Sequence, residues 1–334
     1  MQTDAQTKKR NASWINQGTA VNASSASQAA VQAGLDWEVM QIPLQGYVKS
    51  EVNPYETITD YYPVERKHAM LKLGKDGNNS VIGIVGEKYK IVQNMEVFGA
   101  LDSLVDSSGL RYTAAGEYNG GANVWMVMQL PREINVANDP HAGFILVQSS
   151  HDGSSSVIIR PIIERLFCAN QINKIVKGKK RNNYTYTLKH TTNAKLSVSE
   201  IRDIMQLTYQ SIEEYELLSN TLIQTEVDNR QVRNIFERVW ALPTEVENSP
   251  YNLLTQGQRR QKTMALDARM KAMDIYLESP TQENIRGTAF GAWQAVIEYA
   301  DHYASGGADK RGIATLTGRN DAIKTKALNL VLSA

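Results

Sequence analysis

Two dipeptides constrain most strongly what this chain can become. Asn119-Gly120 and Asp152-Gly153 each place residues that tolerate a positive φ between β-prone runs. Tight hairpin turns need that conformation, because only the mirror-image turn types match the twist of the strands they join. Leu110–Tyr118 and Ala122–Leu130 flank the first signal, and Gly143–Ser149 and Ser154–Arg160 flank the second. Two consecutive hairpins give a four-stranded antiparallel β-meander.

Helical signals surround the meander. Asn94 can cap a helix through Val105, with Val97, Phe98, Leu101 and Leu104 on one face and Gly109 ending it. Ser80–Val85 reads as a short strand before it. Pro161 suits the first turn of a further helix, and Ile163, Leu166, Phe167 and Ile175 follow near helical spacing. Ser197-Val198-Ser199-Glu200 is a capping box, and behind it the pattern is helical to the end. Further helices are expected over Asn229–Trp240, Gln256–Leu277, Gln282–Tyr303 and from Asn320 to Leu332. The fold class is therefore α+β: an antiparallel β-meander with flanking helices, followed by an all-helical C-terminal part. At about 100–200 residues per domain, 334 residues correspond to two domains and a tail. Residues 1–30, rich in Ser, Ala, Asn and Gln without an apolar period, read as a mobile N-terminal tail. Residues 31–195 form the α+β core, and 196–334 a helical C-terminal domain.

The net charge of +1 hides an asymmetry. No acidic residue lies between Glu164 and Glu200, while Arg165, Lys174, Lys177, Lys179, Lys180, Arg181, Lys189 and Lys195 do. The rest of the chain is correspondingly acidic. A basic segment on an acidic body favours a polyanion at one place. Tyr184 and Tyr186 follow the Lys179–Arg181 run, and cations interleaved with aromatic rings are the two components of single-strand binding.

Catalytic constellations are scarce. Gly306–Gly318 has glycines and a lysine without phosphate-loop spacing, and no dinucleotide fingerprint follows a strand. One cysteine, Cys168, permits no intrachain disulfide and fits a reducing compartment. Its apolar neighbours make it a structural thiol. Five scattered histidines (68, 141, 151, 190, 302) give no tight metal-ligand spacing, so no metal or other cofactor is expected. His151 and Asp152 are adjacent, but neighbours in a turn point apart. Asp60 with Glu65-Arg66-Lys67 has the residue types of a nuclease carboxylate–lysine set. The longest apolar runs, such as Val124–Met128, fall far short of the ~20 residues that span a bilayer. The first residues contain no apolar signal region, and a bacterial host cytoplasm is the expected location.

Several segments resemble the motifs of the phage/plasmid-like protein family, whose members are encoded by phages and mobile elements and have no assigned function. They are Gly34–Val39, Ile82–Asn94, Ser150–Ser155, Cys168-Ala169-Asn170, Gly287–Trp293, Glu298–His302 and Lys324–Leu330. The run Glu164–Cys168 departs from the Arg-Val-Val-Cys type that the family shows. The order of elements also resembles the ring-forming single-strand annealing recombinases, of the Rad and Redβ/RecT types. Those proteins need no catalytic residue and line a groove with Arg and Lys. The resemblance implies a single-stranded DNA-binding and strand-annealing protein of phage or mobile-element recombination, acting as a ring or filament of identical subunits. On the residues of the basic segment, phosphate contacts are expected from Arg160, Arg165, Lys174, Lys177, Lys179, Lys180, Arg181 and Lys189, with stacking from Tyr184 and Tyr186. Two other readings stand beside it: a protein-interaction module, for example an inhibitor of host defence, and a metal-dependent nuclease.

Overall fold

The computed structural model describes residues 18–75, 77–99, 101–137, 139–166, 170–172, 176–177, 180–181, 185–188 and 198–333. The chain opens with β1 (Gly18–Ala23) and α1 (Ala26–Ala33), then a long hairpin of β2 (Glu38–Asn53) and β3 (Glu56–Leu73), then β4 (Ser80–Gly86). Two short helices follow, α2 (Asn94–Gly99) and α3 (Asp102–Ser108). The meander comprises β5 (Arg111–Tyr118), β6 (Asn123–Val136), β7 (Asp139–Ser150) and β8 (Val157–Arg165). Short strands β9 (Asn170–Ile172), β10 (Val176–Lys177), β11 (Lys180–Arg181) and β12 (Tyr186–Leu188) lead to the helices α4 (Val198–Gln224), α5 (Asn229–Val239), α6 (Thr244–Asn248), α7 (Gln256–Glu278), α8 (Ala289–Glu298), α9 (Ala308–Thr317) and α10 (Asp321–Val331). The architecture is the expected α+β one.

The main sheet runs β1-β5-β6-β7-β8-β12, with β9 also on β8. Every pairing within it is antiparallel. Turn chemistry sets the first hairpin as the sequence predicts: Asn119 and Gly120 take φ of 54° and 67°, and Gly153 takes 75° at the second. Val124–Met128 is an unbroken apolar run because both faces of β6 are covered. Val124, Met126 and Met128 face the larger core with α4 and α8, while Trp125 and Val127 face a smaller cluster with Leu316 of α9. Ile204, Ile212, Tyr215 and Leu218 of α4 belong to the same core as Met126 and Val147, so packing is continuous across residue 196.

Three expectations are corrected. First, the segment after Pro161 is strand, not helix. Pro161 sits opposite Ile145 of β7, while on the other edge of β8 the partner β12 covers 157–159 and β9 covers 163–165. The proline falls in the gap between those partners, where its missing N–H breaks no ladder. Second, the described part of residues 1–30 is built into the fold. β1 pairs with β5, and α1 buries Ala26, Ala29 and Ala30. Ser25 caps α1 by accepting from the Gln28 N–H, and Gly34 ends it at φ 66°. Alanine packing carries little hydrophobic periodicity, which hid this helix. Residues 1–17 lie outside the described residues. Third, the helix expected from Gln282 begins later, at Ala289, after a 3₁₀ turn over Pro280–Gln282; Thr288 caps it.

A separate three-stranded sheet has the order β2-β3-β4. Its lower part packs through Val39, Met70, Ile82 and Val85 onto the main core. β4 pairs only with Lys67–Lys72, so β2 and β3 continue beyond it as a two-stranded ribbon. From residue 45 to residue 67 every side chain is exposed except half-buried Thr59. The sequence reading left this ribbon out. Pro43 and Pro63, which cannot donate to a ladder, flank the point where it is interrupted between Gln45↔Pro63 and Pro43↔His68.

Candidate nucleic-acid interface

The structure divides the expected basic site in two. Arg165 lies on β8 with its side chain only 1% exposed, and its Nε donates to Asp139 Oδ2 at 2.5 Å. Asp139 is itself fully buried; burial pushes its carboxyl upward and the guanidinium pulls it down. Arg160, five residues earlier on β8 and opposite Leu146 of β7, donates from Nη2 to the Leu316 carbonyl in the last turn of α9. A guanidinium there satisfies a helix-terminal carbonyl and favours the negative end of the helix dipole. Burial lowers the Arg160 pKa, and nearby Asp321 opposes that. Both guanidiniums are therefore engaged within the fold, Arg165 in a buried ion pair and half-buried Arg160 at a helix-terminal carbonyl. Tyr186 is engaged likewise. It is half-buried on β12, packs on the main core and donates its hydroxyl to Glu200 Oε1 at 2.8 Å. Burial first, then Glu200, pushes that phenol up to about 12. It ties the sheet edge to α4 and is not a free stacking platform.

Lys177, Lys180 and Arg181 remain. They form a small antiparallel hairpin of their own, in which Lys177 stands opposite Lys180 and Arg181 opposite Val176. Lys174, Lys179, Tyr184 and Lys189 lie outside the described residues, as do Lys195 and Cys168. Among the described residues, no group of three or more His, Cys, Asp or Glu side chains is placed to hold a metal ion. No described helix is long and apolar enough to cross a membrane.

The segments that carry the family resemblance converge elsewhere. Asn94 at the start of α2 donates from Nδ2 to the Leu35 carbonyl at 2.9 Å and presents Oδ1 to His151 Nε2 at 2.8 Å. That orientation of the amide makes Nε2 the protonated ring nitrogen. Trp37 meets the His151 ring edge-on at 5.4 Å between centroids. Gln93 pairs with both backbone groups of Val39, donating to its carbonyl and accepting its N–H, each at 2.9 Å. Tyr89 donates to the Ser150 carbonyl at 2.9 Å, and burial pushes its phenol up to about 12. Lys72 bridges to Glu117 at 2.6 Å while lying 4.5 Å from the Trp37 ring centre, and Trp37 Nε1 donates to the same carboxylate. Gly83 of β4 must be glycine, because a Cβ there would sit 2.6 Å from the Asp152 Cβ. These contacts clasp the small sheet to the β7–β8 turn. His151 is wholly buried in the clasp.

A second clasp holds the C-terminal helices. Asp301, fully buried, pairs with Lys324 at 2.7 Å, and Trp293 Nε1 donates to the Lys324 carbonyl at 3.0 Å. Thr281 donates to Glu298, and Asn320 Nδ2 donates to the Ala300 carbonyl. Fully satisfied buried polar networks of this sort specify one packing arrangement.

Fold and clasps define an α+β protein in which the described motif residues make contacts within the fold. A family model described as a domain of unknown function, DUF932, matches residues 81–328. That is well over half of the chain, which belongs to this family. No curated protein and no solved structure matches it. Membership of a family without assigned function agrees with the coarser part of the sequence reading; the likeness to annealing recombinases finds no counterpart in these comparisons.

Proposed function

We propose that this chain binds single-stranded nucleic acid through the acid-free segment between Glu164 and Glu200, centred on the β10–β11 hairpin, and anneals strands as a homo-oligomer in phage or mobile-element recombination. One observation supports the reading best. Lys177 faces Lys180 across the hairpin in a segment with no carboxylate of its own. Like charges directly opposite on paired strands destabilise the pair. An anion laid along the hairpin removes that cost, and a phosphate chain supplies anions at regular spacing. The remaining lysines of the segment extend the same track in both directions along the sequence.

The test is fluorescence anisotropy with a labelled oligonucleotide, single-stranded or duplex, at two salt concentrations. Each neutralised phosphate contributes about −0.7 to the log–log salt slope on single strands. Replacing Lys177, Lys180 and Arg181 together by Ala should weaken single-strand binding and reduce the magnitude of the slope by up to about 2. Wild-type affinity in the triple variant would remove the hairpin from the interface. Magnesium-dependent loss of the oligonucleotide would replace the reading by the nuclease one.

A further inference from the structure

The ribbon beyond β4 is a construction that water alone supports poorly. A lone two-stranded hairpin is marginal in water and gains stability from a third strand or a packed face. This one carries Tyr47, Tyr55, Tyr61 and Tyr62 in solvent, Tyr55 at the tip being 98% exposed. Val48, Val52, Ile58 and Val64 are exposed beside them. Among the described residues, no strand lies beside β2 on its outer edge, and β4 does not reach the outer edge of β3 in the ribbon either; the β2 edge is the one whose sequence matches itself. Such an edge is a template for another strand.

We propose that the strand it takes is the same edge of a second copy of this chain. The residues of that edge are Val48-Lys49-Ser50-Glu51-Val52. Laid antiparallel against itself about a two-fold axis at Ser50, this segment is self-complementary. Lys49 of each copy faces Glu51 of the other, Ser50 faces Ser50, and Val48 faces Val52. Both charges are matched twice, with Lys49 and Glu51 on one face of the joined sheet and Ser50 on the other, while Val52 sits at the register irregularity between Glu51 and Asn53. Opposite charges and β-branched residues are favourable cross-strand pairs. Shifting the axis to Lys49 or to Glu51 puts like charges face to face, so the sequence selects one register. The product is a four-stranded sheet, β3-β2 joined to its symmetry mate, with an interface of the self-complementary kind that closed dimers use. Self-pairing is independent of the nucleic-acid reading, and loss of oligonucleotide binding leaves it untouched.

Sedimentation velocity on the full chain across the micromolar range tests it. Wild type should show concentration-dependent dimerisation. Lys49→Glu sets carboxylates opposite one another at two symmetric positions and should weaken the dimer roughly tenfold or more. The double variant Lys49→Glu with Glu51→Lys restores the pairing with signs exchanged and should recover most of the lost affinity. Ser50→Cys should give an intermolecular disulfide on mild oxidation that Thr59→Cys, on the neighbouring strand β3, does not. Thermal denaturation of each variant separates a lost dimer from a lost fold. A monomeric wild type, unaltered dimerisation in Lys49→Glu, or a double variant no better than the single one would each overturn the pairing.

Discussion

Replacing Arg165 by Met isolates the role of a cation that sequence reasoning placed on the surface. The guanidinium is 1% exposed and its partner Asp139 is fully buried. Removing it leaves a carboxylate without its counter-ion in the core, a loss that costs about 3–5 kcal/mol in buried pairs. At about 2 °C per kcal/mol for a chain of this size, the melting temperature should drop by about 6–10 °C. The loss should shrink on acidification. Burial already holds the Asp139 carboxyl high, and without Arg165 it rises further. A folded-state pKa above the unfolded value gives stability that is present at low pH and lost as pH rises through the folded pKa. Arg165→Met combined with Asp139→Leu removes both charges and should return to within about 1 kcal/mol of wild type, since apolar replacement of a whole buried pair is close to neutral. Urea denaturation followed by circular dichroism measures all three. Oligonucleotide affinity of the folded single variant should equal wild type. A single variant that unfolds like wild type but loses affinity would refute the buried-strut assignment and return Arg165 to the phosphate set.

Two further outcomes follow from the clasps and the core. Burial holds His141 at about 3, with Arg165 adding to the depression; the unfolded chain protonates near 6.5, so stability should fall as pH drops from 6.5 toward 3, by about 1.4 kcal/mol per unit at most. Denaturation of wild type and His141→Gln at pH 7 and 4.5 should show the variant losing less between the two. Asn94→Ala removes two buried hydrogen bonds, to Leu35 and His151, and should cost roughly 2–4 kcal/mol while raising amide exchange in Gly34–Val39; unchanged exchange there would mean that the clasp does not hold the small sheet.

The parts of the fold legible in the sequence were those fixed by local chemistry. Asn119-Gly120 and Asp152-Gly153 specified their turns because positive φ is a property of those residues, and β5 to β8 followed. The capping box Ser197–Glu200 announced a helix in the same way, and α4 begins at Val198. What stayed hidden depends on neighbours distant in sequence. Pro161 is acceptable in a strand only because β12 and β9 leave a gap at that edge. The C-cap glycine after α1 was visible, but its alanines bury against elements far along the chain. The candidate site was legible as composition and not as geometry. Charge arithmetic finds eight cations between two glutamates, but which of them meets a carboxylate depends on folding: Asp139 is 26 residues from Arg165, and Leu316 is 156 from Arg160.

The family motifs and the proposed interfaces differ in what stability asks of them. Asn94, His151, Trp37, Asp301 and Lys324 each satisfy buried groups, so holding the fold together is a sufficient reason for their presence. Folding gives no such reason for Lys177 opposite Lys180, because that register opposes like charges, nor for a ribbon that leaves four tyrosines in water. A chain keeps features that work against its own stability where they act on something outside it. By that criterion the proposals above put the outward contacts of this protein on two hairpins, β10–β11 and the β2–β3 ribbon, while the described motif residues hold the fold together.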